Sequence, residues 1–204
     1  RLGSGTTLAC TRVAQAVAAG RPVFLMGHSM GGAIAVRWLA LRQTSAAGLI
    51  LSSAALKIGG DVPRLLIALA PLLSRWLPRL RGTRLDPQLI SRDPAQVAAY
   101  VSDPLVSLKA PPARTGAELL AVMEANRTVA ASLHLPVYLF HGDADRLTDP
   151  AGSREIFQAW GGEDKTLRLW PGSRHETLND LGRESVVAEL LDWVGARTAA
   201  GAGK

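Results

Sequence analysis

Pro22-Val23-Phe24-Leu25-Met26-Gly27-His28-Ser29-Met30-Gly31-Gly32-Ala33-Ile34-Ala35 is the stretch on which the reading of this chain turns. The apolar run Pro22 to Met26 is short and stops where glycine begins, so it reads as a buried strand. From Ala33 to Leu41 the apolar residues recur at helical spacing, which predicts a helix. Between them lies Gly27-His28-Ser29-Met30-Gly31, a G-x-S-x-G turn in the strand-then-helix context that gives such a motif meaning. A serine there stands on a sharp, strained bend with its hydroxyl clear of the sheet end. Gly27 and Gly31 are expected to supply the room, and the small Gly32 and Ala33 to extend the close approach. The Met30 backbone N–H then lies at a helix start, where it can face a developing oxyanion.

The strand-and-helix rhythm continues. Gly48 to Leu51 and Pro136 to Phe140 read as further strands, and Thr166 to Trp170 as a less regular fourth. Runs that are apolar on both faces suit a mostly parallel sheet. Helical patterns at Ser153 to Trp160 and Arg183 to Trp193 follow the third and fourth strands, so the class is α/β. Between Lys57 and Leu133 the rhythm fails among Pro63, Pro71, Pro78, Pro87, Pro94, Pro104, Pro111 and Pro112. Residues 57–133 are therefore expected to be an inserted helical cap, with 1–56 and 134–204 forming the core. The piece Val62 to Leu80 is helix-like and apolar on several sides. It suits a lid over a lipid-shaped pocket as well as it suits a helix pair packed on the sheet. The Gly/Ala tail after Arg197 is expected to fray.

With 204 residues, 48% of them hydrophobic, the chain is sized for one domain with a substantial core. Its net charge of +6 comes with scattered arginines, only 5% aromatic residues and no nucleic-acid motif, which argues against nucleic-acid binding and for an Arg-rich solvated surface. A basic face near anionic lipid headgroups is the secondary reading. The single cysteine, Cys10, has no internal partner, and no Cys/His cluster has zinc spacing; no metal or organic cofactor is expected. This cysteine usage fits a reducing, cytoplasmic compartment, and the basic face and apolar cap fit a position peripheral to a membrane, although a chain opening at Arg1 leaves a leader upstream an open matter. The apolar stretch Leu65 to Leu73 falls far short of the roughly 20 residues of a spanning helix.

A serine hydroxyl is a poor nucleophile unless a base takes its proton and an acid orients the base. Of the histidines, His28 lies inside the elbow, His134 precedes a strand as a solvated linker residue, and His141 ends a strand, bonded to its own loop. His175 alone lies late, in the loop Pro171-Gly172-Ser173-Arg174-His175-Glu176, and reads as the general base. The acid belongs at the end of the third strand, where Asp143, Asp145 and Asp149 compete. Asp143 fits an Asx turn and Asp149, before Pro150, fits a helix cap, which leaves Asp145.

From about Arg21 onward the chain resembles the monoacylglycerol lipase and lysophospholipase branch of the α/β-hydrolases. The resemblance rests on Pro22 to Ala35 and on Ala144-Asp145-Arg146-Leu147. Ser102-Asp103-Pro104-Leu105, Lys165-Thr166-Leu167 and Gly172 to His175 add weaker support. It implies an α/β-hydrolase fold with a Ser29–Asp145–His175 triad, the Met30 N–H in the oxyanion hole, and Asp143 outside the triad. Mammalian members carry a cysteine where this chain has Thr148. The family also places several strands and a His-Gly oxyanion segment before the elbow, so this sequence is expected to be an amino-terminally truncated form lacking the early strands and the second oxyanion donor. The implied function is a serine esterase cleaving monoacylglycerols or similar single-chain lipid esters through an acyl-serine intermediate, with transient membrane contact through the cap. A lysophospholipase, a general carboxylesterase or an acyltransferase could use the same residues, and a non-catalytic ligand-binding protein on a hydrolase scaffold is the alternative of another class.

Overall fold

Aliphatic runs that bury both faces organise the computed structural model, which describes residues 18, 20–42, 46–60, 62–82 and 84–199. Strand β1 (Phe24–His28) leads into helix α1 (Met30–Leu41), and β2 (Gly48–Ser52) follows. Next come α2 (Arg64–Trp76), α3 (Pro94–Ser102) and α4 (Ala113–Val129), with short 3-10 turns at Pro87–Leu89 and Ala130–Ser132. The chain ends with β3 (Val137–Gly142), α5 (Pro150–Ala159), β4 (Lys165–Trp170), a turn at Thr177–Asn179 and α6 (Arg183–Ala199). Cys10 and Arg1 lie outside the described residues, as does the end of the Gly/Ala tail.

The four strands are parallel and lie in chain order, β1-β2-β3-β4. Every residue of β2 and β3 is buried, as central strands covered on both faces must be. Period-two alternation sends Leu49, Leu51, Val137 and Leu139 to one face, against Val36 and Leu39 of α1 and Ile156 of α5. Ile50, Tyr138 and Phe140 point to the other, where Val186 and Trp193 of α6 cover them. Trp193 stacks on Tyr138 at 5.6 Å and meets Phe24 edge-on at 5.7 Å.

The strands differ from the expected runs at their ends. The first begins and ends two residues later, at Phe24 and His28, and the third extends to His141 and Gly142. The hydropathy pattern stops at the first Gly or His, whereas backbone pairing does not: His28 pairs with Ser52, and Gly142 with Trp170. The pairing therefore carries each strand into the residues that matter chemically. Pro71 sits inside α2 instead of breaking it. Helix α4 packs on α1, where Asn126 Nδ2 donates to the Ala33 carbonyl at 2.9 Å and Met123 joins a buried cluster with Ala33 and Ala55.

Candidate active site

Ser29, between β1 and α1, adopts φ 50° and ψ −123°. A non-glycine residue in that region costs about 1–3 kcal/mol and persists only where surrounding bonds over-determine it. Here the Ser29 N–H donates to the Ser52 carbonyl at 3.0 Å, while its own carbonyl accepts from Gly32 at 3.0 Å and Ala55 at 2.8 Å. A Cβ on Gly27 would lie 2.6 Å from the Gly31 carbonyl oxygen, and one on Gly32 would lie 2.4 Å from the Ala54 Cβ. The expectation that Gly31 supplies room is corrected, because a Cβ there meets nothing within 4 Å. The crowding falls on Gly27 and Gly32, which face each other, with Gly32 also against Ala54 in the loop after β2, while Gly31 faces outward. Met30 is the first residue of α1, so its N–H belongs to the group that has no acceptor within the helix.

Asp145, in the loop after β3, and His175, in the loop after β4, are each 6% exposed and meet with His175 Nδ1 donating to Asp145 Oδ2 at 2.7 Å. Oδ2 also accepts from His141 Nε2 at 3.0 Å and Thr148 Oγ1 at 2.8 Å, and Oδ1 accepts from the Leu147 and Thr148 N–H groups at 2.8 and 3.1 Å. Burial would push the Asp145 pKa up. The hydrogen bonds and charges of His141 and His175 outweigh it and hold the carboxyl well below the usual range. An ionised Asp145 fixes the His175 proton on Nδ1 and leaves Nε2 free to accept one. Among the described residues no hydrogen bond joins Ser29 Oγ to that ring, and such catalytic bonds often close only when substrate binds.

The other candidates are occupied elsewhere. Asp143 Oδ1 accepts from the Gly172 N–H at 2.6 Å, so it braces the His175 loop where an Asx turn of its own was expected. Asp149 caps α5, accepting from Ala151 N–H at 2.8 Å. His134 is exposed and lies 3.1 Å from the Ser132 carbonyl. His141 ends β3, is fully buried and bonds to its own loop through Asp145, as expected, and it also reaches Ser153 Oγ of α5 at 2.8 Å.

Glu176, Asp180, Arg92 and Arg174 escaped the sequence reading. Glu176 Oε1 accepts from His28 Nε2 at 3.0 Å. Asp180, 1% exposed, accepts from the Arg92 and Arg174 N–H groups at 2.7 and 2.8 Å and from Arg92 Nε at 3.0 Å. Burial alone would raise its pKa, but these bonds lower it. Arg174 Nη1 reaches the Ser91 carbonyl at 2.9 Å and Glu176 N–H the Ile90 carbonyl at 2.7 Å, so the loop carrying His175 is stitched to the segment before α3. The only signal in the sequence was the density of charged residues around His175, which does not name their partners. Among the described residues no group of three or more His, Cys, Asp or Glu is placed to hold a metal ion.

A strand-end serine at positive φ, followed in chain order by a buried Asp–His pair, is the arrangement of the α/β-hydrolases. Comparison with known families agrees: the serine aminopeptidase S33 family matches residues 7–182. The chain belongs to this family. It is 34% identical over 173 residues to a monoacylglycerol lipase of Mycolicibacterium smegmatis, covering 85% of this chain and 62% of that protein. It is 36% identical over 186 residues to a monoglyceride lipase of Mus musculus, covering 89% and 61%. The chain thus spans a little over three-fifths of these relatives' length. Among solved structures, a monoacylglycerol lipase of Paleococcus ferrophilus superposes with a TM-score of 0.81 at 32% identity, over 92% of this chain and 74% of that one. A soluble variant of the Saccharomyces cerevisiae monoglyceride lipase, in complex with a substrate analog, gives 0.82 at 25% identity, over 96% and 68%.

Proposed function

We propose that this chain carries the catalytic residues of a serine ester hydrolase that cleaves monoacylglycerols or similar single-chain lipid esters. The observation that carries the reading is the 2.7 Å Asp145–His175 pair, with the His175 ring 4.8 Å from that of His28, the residue before a serine held at positive φ. In the proposed cycle His175 Nε2 takes the Ser29 proton as Oγ attacks the ester carbonyl, and the Met30 N–H steadies the resulting oxyanion. The intermediate collapses to an acyl-serine, and His175 gives its proton to the departing alcohol. Water, deprotonated by the same imidazole, then releases the fatty acid and restores Ser29. Asp145 orients the ring and balances its charge throughout. The test is hydrolysis of a monooleoylglycerol by the intact protein and by Ser29→Ala: the substitution removes turnover, and retained hydrolysis refutes the assignment.

The lipid preference draws support from the names of the relatives and from residues 57–133, which we read as a cap. Leu65, Leu69, Leu72 and Trp76 form one stripe along α2, exposed at 70%, 39%, 54% and 70%. Exposed arginines at positions 75 and 79 flank it. An apolar stripe beside basic side chains suits transient contact with a membrane surface. Among the described residues no helix is long and apolar enough to cross a membrane.

A further inference from the structure

Residues 28 and 176 are the immediate chain neighbours of Ser29 and His175, and they bond to each other. Each end of the link is anchored independently. The His28 ring reaches Ser52 Oγ through Nδ1 at 3.1 Å, and Ser52 is the buried last residue of β2. Glu176 accepts from Asn179 Nδ2 at 3.1 Å on its other oxygen, and its backbone N–H is tied to the Ile90 carbonyl at 2.7 Å. Between these anchors runs the 3.0 Å bond from His28 Nε2 to Glu176 Oε1. Beside it, the His28 and His175 rings lie 4.8 Å apart, tilted by 57°. Among the described residues the further bonds between the two halves are indirect: Ser29 is tied to Ser52 and Ala55, while Asp145, the partner of His175, accepts from Thr148 Oγ1, which lies 3.2 Å from the Ser53 carbonyl.

We propose that the His28–Glu176 pair is a clamp that sets the separation of Ser29 from His175, which makes Glu176 a positioning residue for acyl transfer. The inference rests on the reading of Ser29 as nucleophile and His175 as base. The bond from His28 holds Glu176 in its ionised form against the opposing effect of burial, so the acceptor stays available at neutral pH. Magnitudes separate a clamp from an ordinary ion pair. The two side chains are 33% and 25% exposed, and a pair of that exposure contributes on the order of 1 kcal/mol or less to folding. A displacement of about 1 Å between reacting groups, by contrast, costs about 100-fold in rate. Loss of the clamp is therefore expected to show in turnover far more than in stability.

The test compares Glu176→Ala, Glu176→Gln and Ser29→Ala in the intact protein. Three quantities are read: the second-order rate of labelling by a fluorophosphonate probe, kcat and KM on a water-soluble p-nitrophenyl ester, and the melting temperature. Glu176→Ala is expected to lower both the labelling rate and kcat by about tenfold or more, with KM changed by less than about twofold. Glu176→Gln keeps an acceptor for His28 and is expected to recover most of that loss. Wild-type rates in Glu176→Ala would overturn the clamp, as would a loss matched by the unfolded fraction, or a Gln variant as slow as the Ala variant. If Glu176→Ala does not fold, Glu176→Asp, one methylene too short for the same reach, takes its place in the comparison. Labelling or turnover surviving in Ser29→Ala would instead refute the nucleophile, a separate result from failure of the clamp.

Discussion

At the scale of single residues, Asp145 is surrounded by donors to both carboxylate oxygens, from His141, His175 and Thr148 side chains and from the backbone of residues 147 and 148. Its folded pKa and that of Asp180 lie below the unfolded value, about 3.9 for an aspartate. A depressed carboxylate adds stability that is complete above the unfolded pKa and is lost as pH falls toward the folded one. Thermal melts are thus expected to hold level from neutral pH down to about pH 5 with respect to these groups and to decline below about pH 4. Asp180→Asn should lower the neutral-pH melting temperature and flatten that acid decline, and an unchanged slope would count against the assignment. His141→Leu removes a donor to a buried charge and should destabilise by about 1.5–3 kcal/mol in a denaturant titration. Asp145 stood out in the sequence because Asp149 had cap chemistry of its own, whereas the expected turn role of Asp143 is replaced by its bond to the Gly172 N–H. Glu176 and Asp180 did not stand out, since each acts through a partner that only the folded chain brings near.

The elements show the same division. Strand, turn and helix around Ser29 were legible because hydropathy period and glycine placement agree there. Which glycine matters was not legible, since the obstacle to a Cβ on Gly32 is Ala54, on a loop that follows a different strand. Gly27→Ala is expected to destabilise by about 1–3 kcal/mol through overpacking. Gly31→Ala, in open space on a helix, should be neutral or stabilising by up to about 1 kcal/mol. Comparing the two by denaturant unfolding checks the geometry of the turn, and equal losses would contradict it. Strand ends were misread by one or two residues for a physical reason: ladder bonds belong to the backbone and continue through Gly, His and Ser.

For the whole molecule, parallel strands laid in chain order bring the ends of β1, β3 and β4 to one edge, so the loops that follow β3 and β4 join Asp145 to His175, and His28, next to Ser29 in the chain, lies against the His175 ring. The exposed stripe of α2 belongs to the same scale. Leu69→Glu with Trp76→Glu is expected to slow hydrolysis of a monoacylglycerol presented in vesicles several-fold, while leaving hydrolysis of a soluble short-chain ester unchanged. Equal effects on both substrates would remove the membrane role. The most direct test of the central claim is mass-spectrometric mapping of the intact protein after reaction with a fluorophosphonate, since only an activated hydroxyl is modified at a useful rate. A single adduct on Ser29, lost in His175→Ala, is the predicted result; an unmodified protein, or an adduct elsewhere with Ser29 untouched, would contradict it.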